Sequence, residues 1–330
     1  MAEPIRRILV AIRDLGRAPG AQLSKAASLA RPTGAAIELF HAIDTPLSSS
    51  SLERVFEDVA IRELRQNVVD HTLRRLARLA RSPSLRGLRV SWHAGWDSPA
   101  HEAIVRRALH SRADLVIAAN QARRPAGRWL LQNTDWELIR QCPCPLLLVK
   151  LRRGHRKPAV IVAVDPFHTH AKPANLDRRL LDYGTRIARL LGGSVHAFHC
   201  YMPLPNVVPL PVGAAMPMVL PPEVETAHRE LVARSFDRLA KSAGVAPLSR
   251  HLCIGLVRNE LETLVTELNA SLVVMGAVSR SALRRTFIGS TAERVLDHLP
   301  CDVLVVKPRG FKTDVPRRRP LPLPGALSLA

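Results

Sequence analysis

A chain of 330 residues with 47% hydrophobic content exceeds one ordinary globular core and can fill two, so two domains of roughly 100 to 200 residues are expected. The net charge of +20 rests on 48 basic residues, seven of them lysine, with the arginines scattered in pairs and only 4% aromatics, which argues against a surface that reads a specific nucleic acid. No run approaches the roughly 18 to 20 apolar residues of a membrane span, the start MAEPIRRILVAI lacks the order of a secretory signal, and five cysteines without a C-x-x-C pair point to neither a disulfide framework nor zinc; a cytoplasmic protein is expected.

The first element, ILVAIRD at residues 8–14, has the β-branched apolar run of a buried strand. A helix then runs into LARPTGAAIELFHA, residues 29–42, where Gly34 marks a turn into a second strand. A long helical segment, a strand and a helix lead to ADLVIAANQARRPAGRWLLQNTDWELIRQCPCPLLLVK, residues 113–150, which gives strand, loop, helix and final strand. LRRGHRKP, residues 151–158, is charged and marked by glycine and proline, as in a short linker.

The same order then recurs. VIVAVDP at 160–166 matches the first strand, IARLLGGSVHAFHC at 187–200 the turn and second strand, and a shift of 157 residues lays ASLVVMGAVSRSALRRTFIGSTAERVLDHLPCDVLVVK, 270–307, over 113–150 without a gap. Each half is therefore predicted to be an α/β unit with a five-stranded parallel sheet covered on both faces. The expected domains are residues 1–150, the linker 151–158, residues 159–308, and a basic, proline-rich tail, 309–330, predicted to be disordered. Cys144 and Cys301, each ahead of a terminal strand, are expected to be small buried thiols.

The second half, with VVMG, a loop, and GSTAERVLDHLPCDVLVVKP, resembles the universal stress protein family. The pairing with a first half that has lost the glycines looks most like the tandem E-type members. The resemblance spans residues 5–308 and implies a pair of sandwiches of the adenine nucleotide alpha hydrolase type, packed as a pseudo-dimer, with further oligomerisation left open. It also implies a non-enzymatic, stress-linked binding or regulatory protein, and no Ser/His/Asp set, acid–base carboxylate pair or Walker lysine stands in the sequence to suggest catalysis. ATP-binding members resemble one another in a G-2x-G-9x-G-[S/T] loop and an aspartate ending the first strand. Here Gly276, Ser279, Gly289 and Ser290 occupy the loop positions and Asp165 ends the strand, with serine in place of the middle glycine.

The chemistry of such a loop is that of a helix N-terminus, whose first N–H groups lack intrahelical partners and sit at the positive end of the macrodipole. Gly289 admits a phosphate, Ser290 and Thr291 offer amides and hydroxyls, and Arg280 adds a cation, so ATP or another adenine nucleotide is the expected ligand of the second domain. Ser290-Thr291-Ala292-Glu293 also fits a capping box that needs no ligand. Asp165 has two readings likewise: acceptor for ribose or adenine, or first residue of an Asx turn. In the first half the loop positions are Ala119, Ala122, Gln132 and Asn133, and Asp135 brings a competing negative charge, so no nucleotide is expected there. The histidine pairs His168/His170 and His196/His199 have no carboxylate or cysteine at ligand spacing, and no metal is expected. YMPLPNVVPLPVGAAMPMVLPPE, residues 201–223, has seven prolines and no charge before Glu223, which predicts a buried apolar loop. It supports an alternative function, carrier or sensor of an apolar small molecule, with a ligand-free interaction module as the third.

Overall fold

The computed structural model of the chain describes residues 3–16, 19–44, 59–120, 133–150, 157–167, 175–204, 207–209, 215–217, 221–277, 295–296 and 299–318. The chain divides into two compact units, Glu3–Arg153 with the residues from Arg309 onward, and Gly154–Pro308.

The first unit runs β1 (Arg7–Ala11), α1 (Gly20–Thr33), β2 (Ala36–Ile43), α2 (Val59–Ala80), β3 (Val90–Trp96), α3 (Ala100–Ser111), β4 (Leu115–Asn120), α4 (Asn133–Gln141) and β5 (Leu146–Lys150). Its five strands lie in the order β5-β4-β1-β2-β3, all parallel. Strands β1 and β5 are apolar apart from Arg7 and Lys150 and are buried along almost their whole length, as in a parallel sheet covered on both faces.

The second unit repeats this with β6 (Ala159–Ala163), α5 (Leu176–Leu190), β7 (Ser194–Tyr201), α6 (Pro222–Ser242), β10 (Arg250–Ile254), α7 (Val257–Glu267), β11 (Leu272–Gly276) and β12 (Asp302–Val306). The order within it, β10-β7-β6-β11-β12, is again all parallel and is the order of the first unit. A departure from the repeat is an antiparallel hairpin, β8 (Val207–Pro209) with β9 (Ala215–Pro217), within the segment predicted to be an apolar loop. Pro209 and Pro217 sit at the ends of these short two-stranded runs, where a missing N–H is tolerated.

Helix α5 shows how the sequence places the site. Leu176, Leu180, Leu181, Gly184, Ile187 and Ala188 form its buried stripe, at the spacing of one helix face. Gly184 is required by proximity: a Cβ there would stand 2.2 Å from Val162 Cγ2 of β6. After the helix the chain turns at Gly192, with φ of +66°, the same value as Gly34 after α1, so the predicted glycine turn is a left-handed cap in both units.

The first residues of the tail are ordered against the first unit. Gln141 Oε1, at the end of α4, accepts from Thr313 Oγ1 at 3.0 Å and from the Asp314 amide at 3.2 Å, and Val315 is buried. Of the tail expected to be disordered, residues 309–318 are described and carry these contacts, while 319–330 lie outside the described residues.

Candidate functional site

Both units end their first strand in the same way. The Ile12 amide donates to Phe40 O at 2.8 Å, and its counterpart, the Val164 amide, donates to Phe198 O at 3.0 Å. A histidine from the neighbouring strand then braces each strand end: His41 Nδ1 lies 2.7 Å from Ile12 O, and His199 Nδ1 lies 3.0 Å from Val164 O. Burial pushes the His41 pKa down, helped by Arg75 and opposed by the hydrogen bond to Ile12 and by Asp14. The next residue differs between the units, Arg13 in the first and Asp165 in the second.

In the second unit the Asp165 amide donates to Oδ1 of Asp177 at 3.2 Å, and Asp165 Oδ1 accepts from the Phe167 amide at 3.4 Å. The Asx turn foreseen as one reading of Asp165 is formed, and it engages one carboxylate oxygen only. Asp177 is fully buried in the first turn of α5, where a negative charge suits the helix N-terminus, and it ties that helix to the end of β6. At the end of β11, a Cβ on Gly276 would stand 3.0 Å from Leu176 Cδ2 and 3.7 Å from Leu180 Cδ1. This glycine therefore packs closely on α5, where a Cβ would press on the flexible end of Leu176. In the first unit its counterpart is the buried Ala119.

In the first unit Arg13 Nη1 meets Asp135 Oδ1 at 2.5 Å. Asp135 lies in the first turn of α4, the helix that the sequence repeat matches to the segment from Ser290 onward, and it is wholly inaccessible. The charges at the two positions thus run opposite to those of a phosphate site: a cation ends the strand and an anion enters the helix, and the two neutralise each other. Sequence reasoning noted Asp135 but not its partner; the alignment of Arg13 with Asp165 was the available signal.

Of the predicted site residues, the structure places Asp165 and Gly276 at the carboxyl ends of the adjacent strands β6 and β11. Ser279, Arg280, Gly289, Ser290 and Thr291 lie outside the described residues, as do His168, His170, Ala122 and Gln132. His196 and His199 do not come together: His199 turns to Val164 O, and His196 meets His251 of β10, because residues an odd number apart on a strand face opposite ways. Cys301 is buried as expected, while Cys144 is half-buried with its Sγ 3.9 Å from Cys142 Sγ. The hydrogen bond to Cys142, together with burial, holds the Cys144 pKa well above the usual thiol range. No described helix is long and apolar enough to cross a membrane.

The model of the universal stress protein family matches residues 4–150 and 159–307. Among curated relatives, universal stress protein E of Photorhabdus laumondii is 26% identical over 231 residues, covering 69% of this chain and 72% of the relative. Universal stress protein E of Escherichia coli (strain K12) is 28% identical over 235 residues, with the same coverage. Among solved structures, a functionally unknown protein from Pseudomonas aeruginosa PAO1 superposes with a TM-score of 0.68 at 23% identity, over 92% of this chain and 93% of that one. A universal stress protein from Archaeoglobus fulgidus DSM 4304 gives a TM-score of 0.59 at 15% identity, over 91% and 98%. These likenesses show the fold; with the family match over both halves, the chain belongs to the universal stress protein family and carries two of its domains in tandem.

Proposed function

We propose that the chain is a stress-response binding protein that takes one adenine nucleotide, in its second unit, and acts by binding rather than by catalysis. The observation that carries this is the asymmetry between matched positions. In the first unit the strand end and the helix entrance are joined by the Arg13–Asp135 ion pair, so a phosphate would have to displace a buried carboxylate. In the second unit the strand end presents Asp165, with one carboxylate oxygen outside its Asx turn and at the carboxyl edge of a parallel sheet, where such sheets receive ligands. The loop from Gly276 to Thr291 then supplies the phosphate contacts through Gly289, Ser290, Thr291 and Arg280, with Ser279 as a hydroxyl donor. Calorimetry of ATP against the full chain tests this. Binding that is lost in Asp165→Ala and kept in Asp135→Asn supports it; equal affinity in Asp165→Ala contradicts it.

A second reading rests on a different surface of the same unit. Met202, Val224, Ile254 and Leu256 are exposed, and a cavity of about 250 Å³ is lined by Tyr201, Pro203, Pro222 and Ile254 together with Glu225, Thr226, His228 and Arg229. A largely apolar small molecule with a polar end suits these mixed walls. Native mass spectrometry of gently purified protein separates the two: a nucleotide mass supports the first reading and a lipid-like mass the second.

A further inference from the structure

The edge of the second sheet holds a cluster that neither reading uses. His196 of β7 and His251 of β10 face each other with Nδ1 and Nε2 3.1 Å apart and ring centroids 5.3 Å apart. Strand β10 is the outermost strand of this unit's sheet, and both histidines are half-exposed. Ser194 Oγ lies 3.0 Å from the other nitrogen of His196, Nε2. We propose that His196 and His251 form an open chelate for a borderline divalent transition-metal ion of the zinc or copper class.

The chemistry follows from the proton positions. With Ser194 accepting the Nε2 proton of His196, Nδ1 of that ring keeps its lone pair, and the metal-free contact is a hydrogen bond donated by His251 Nε2. When an ion enters, His251 carries its proton on Nδ1 instead, so two neutral imidazoles offer two lone pairs with no net proton released. Nitrogens 3.1 Å apart, each about 2.0 to 2.1 Å from the ion, subtend an angle of about 95 to 100°, between square-planar and tetrahedral values. To take the ion, the rings must turn out of their mutual hydrogen bond so that both lone pairs face it.

Among the described residues no group of three histidine, cysteine or acidic side chains is placed for a metal. With two ligands from the described residues, the site is proposed as an exchangeable one whose remaining positions are open to water or an outside ligand. The charged neighbour is favourable to a cation: Glu267, near the end of α7, acts on His251 and raises its affinity for positive charge. Protons compete for the same lone pairs. Burial lowers both imidazole pKa values, and for His196 the neighbouring His251 lowers it further; any imidazole binds a metal ion less well in acid, where protons take its lone pair.

The test is calorimetry of Zn²⁺ against the tag-free full chain at pH 7.5 and pH 5.5. One site is expected at pH 7.5 and loss of that site at pH 5.5. His196→Gln or His251→Gln should abolish it, and Ser194→Ala should weaken it about tenfold through loss of ring orientation. Wild-type stoichiometry and affinity in either histidine variant would overturn the proposal. Should the variants fold poorly, imidazole NMR of the wild-type chain decides: zinc must perturb the His196 and His251 ring signals at one equivalent, and unperturbed signals refute the site.

Discussion

Removing the Arg13 side chain is the perturbation that probes the closed first site most sharply. Asp135 has no accessible side-chain surface, whereas Arg13 keeps 16% of its own, so the two halves of the pair respond differently to loss of the partner. Arg13→Ala leaves the buried carboxylate without its guanidinium and should cost about 3 to 5 kcal/mol, the usual penalty for breaking a buried pair. Asp135→Asn lets the partly exposed guanidinium turn to water and keeps an amide in place, so its cost should be lower by about 1 to 2 kcal/mol. For a unit of about 150 residues the larger loss corresponds to a fall in Tm of about 6 to 20 °C. All four tryptophans, Trp92, Trp96, Trp129 and Trp136, lie in the first half of the sequence, so their fluorescence during urea unfolding of the full chain reports this unit selectively. A double-mutant cycle then isolates the pair. An Arg13→Ala cost below about 1 kcal/mol, or a coupling energy near zero, would refute the view that this ion pair closes the site.

Four other outcomes are expected. Gly276→Ala should destabilise the second unit by about 1 to 3 kcal/mol through contact with Leu176 while leaving ATP affinity within about threefold, since the glycine serves packing; a selective loss of binding in stable protein would assign it to the ligand instead. Gly289→Val should abolish ATP binding in folded protein, as calorimetry will show, because the branched side chain blocks the phosphate approach. Stability should fall on acidification: the pKa values of His41, His93, His101, His196 and His251 are all lowered from the usual 6.5, chiefly by burial, so their contribution is complete above that value and is lost as the pH drops below it, which urea midpoints between pH 7.5 and 5 measure. Binding to DNA should be weak, independent of sequence and steeply salt-dependent, and selective retardation at about 150 mM salt would contradict it.

The architecture was legible because each strand announces itself. ILVA, LVIAAN, LLLV and VLVV are apolar runs too short for helices, and the shift of 157 residues makes each half a check on the other. Gly34 and Gly192 were legible too, since a left-handed cap selects glycine. The hairpin at Val207–Pro217 was not, because proline content argues against strands and no periodicity opposes it in runs of three residues.

The site was legible only in part. Asp165 and Gly276 fell where expected, but the packing role of Gly276 depends on Leu176, one hundred residues away, and nothing local in the sequence expresses that contact. The Arg13–Asp135 pair joins a strand end to a helix entrance across 122 residues; Asp135 reads as a competing charge, while Arg13 passes unremarked in the run ILVAIRD. The histidine braces were written in the recurrence of FHA and FHC, yet a histidine on a strand has no fixed partner until the register of its neighbour is known.

The central claim is that two units of one topology differ in ligand binding because one site has closed on an internal ion pair. Native mass spectrometry of the full chain equilibrated with ATP tests it most directly. The account predicts one nucleotide per chain, with the adduct absent in Asp165→Ala. Two nucleotides per chain, or a single adduct that survives Asp165→Ala, would contradict it.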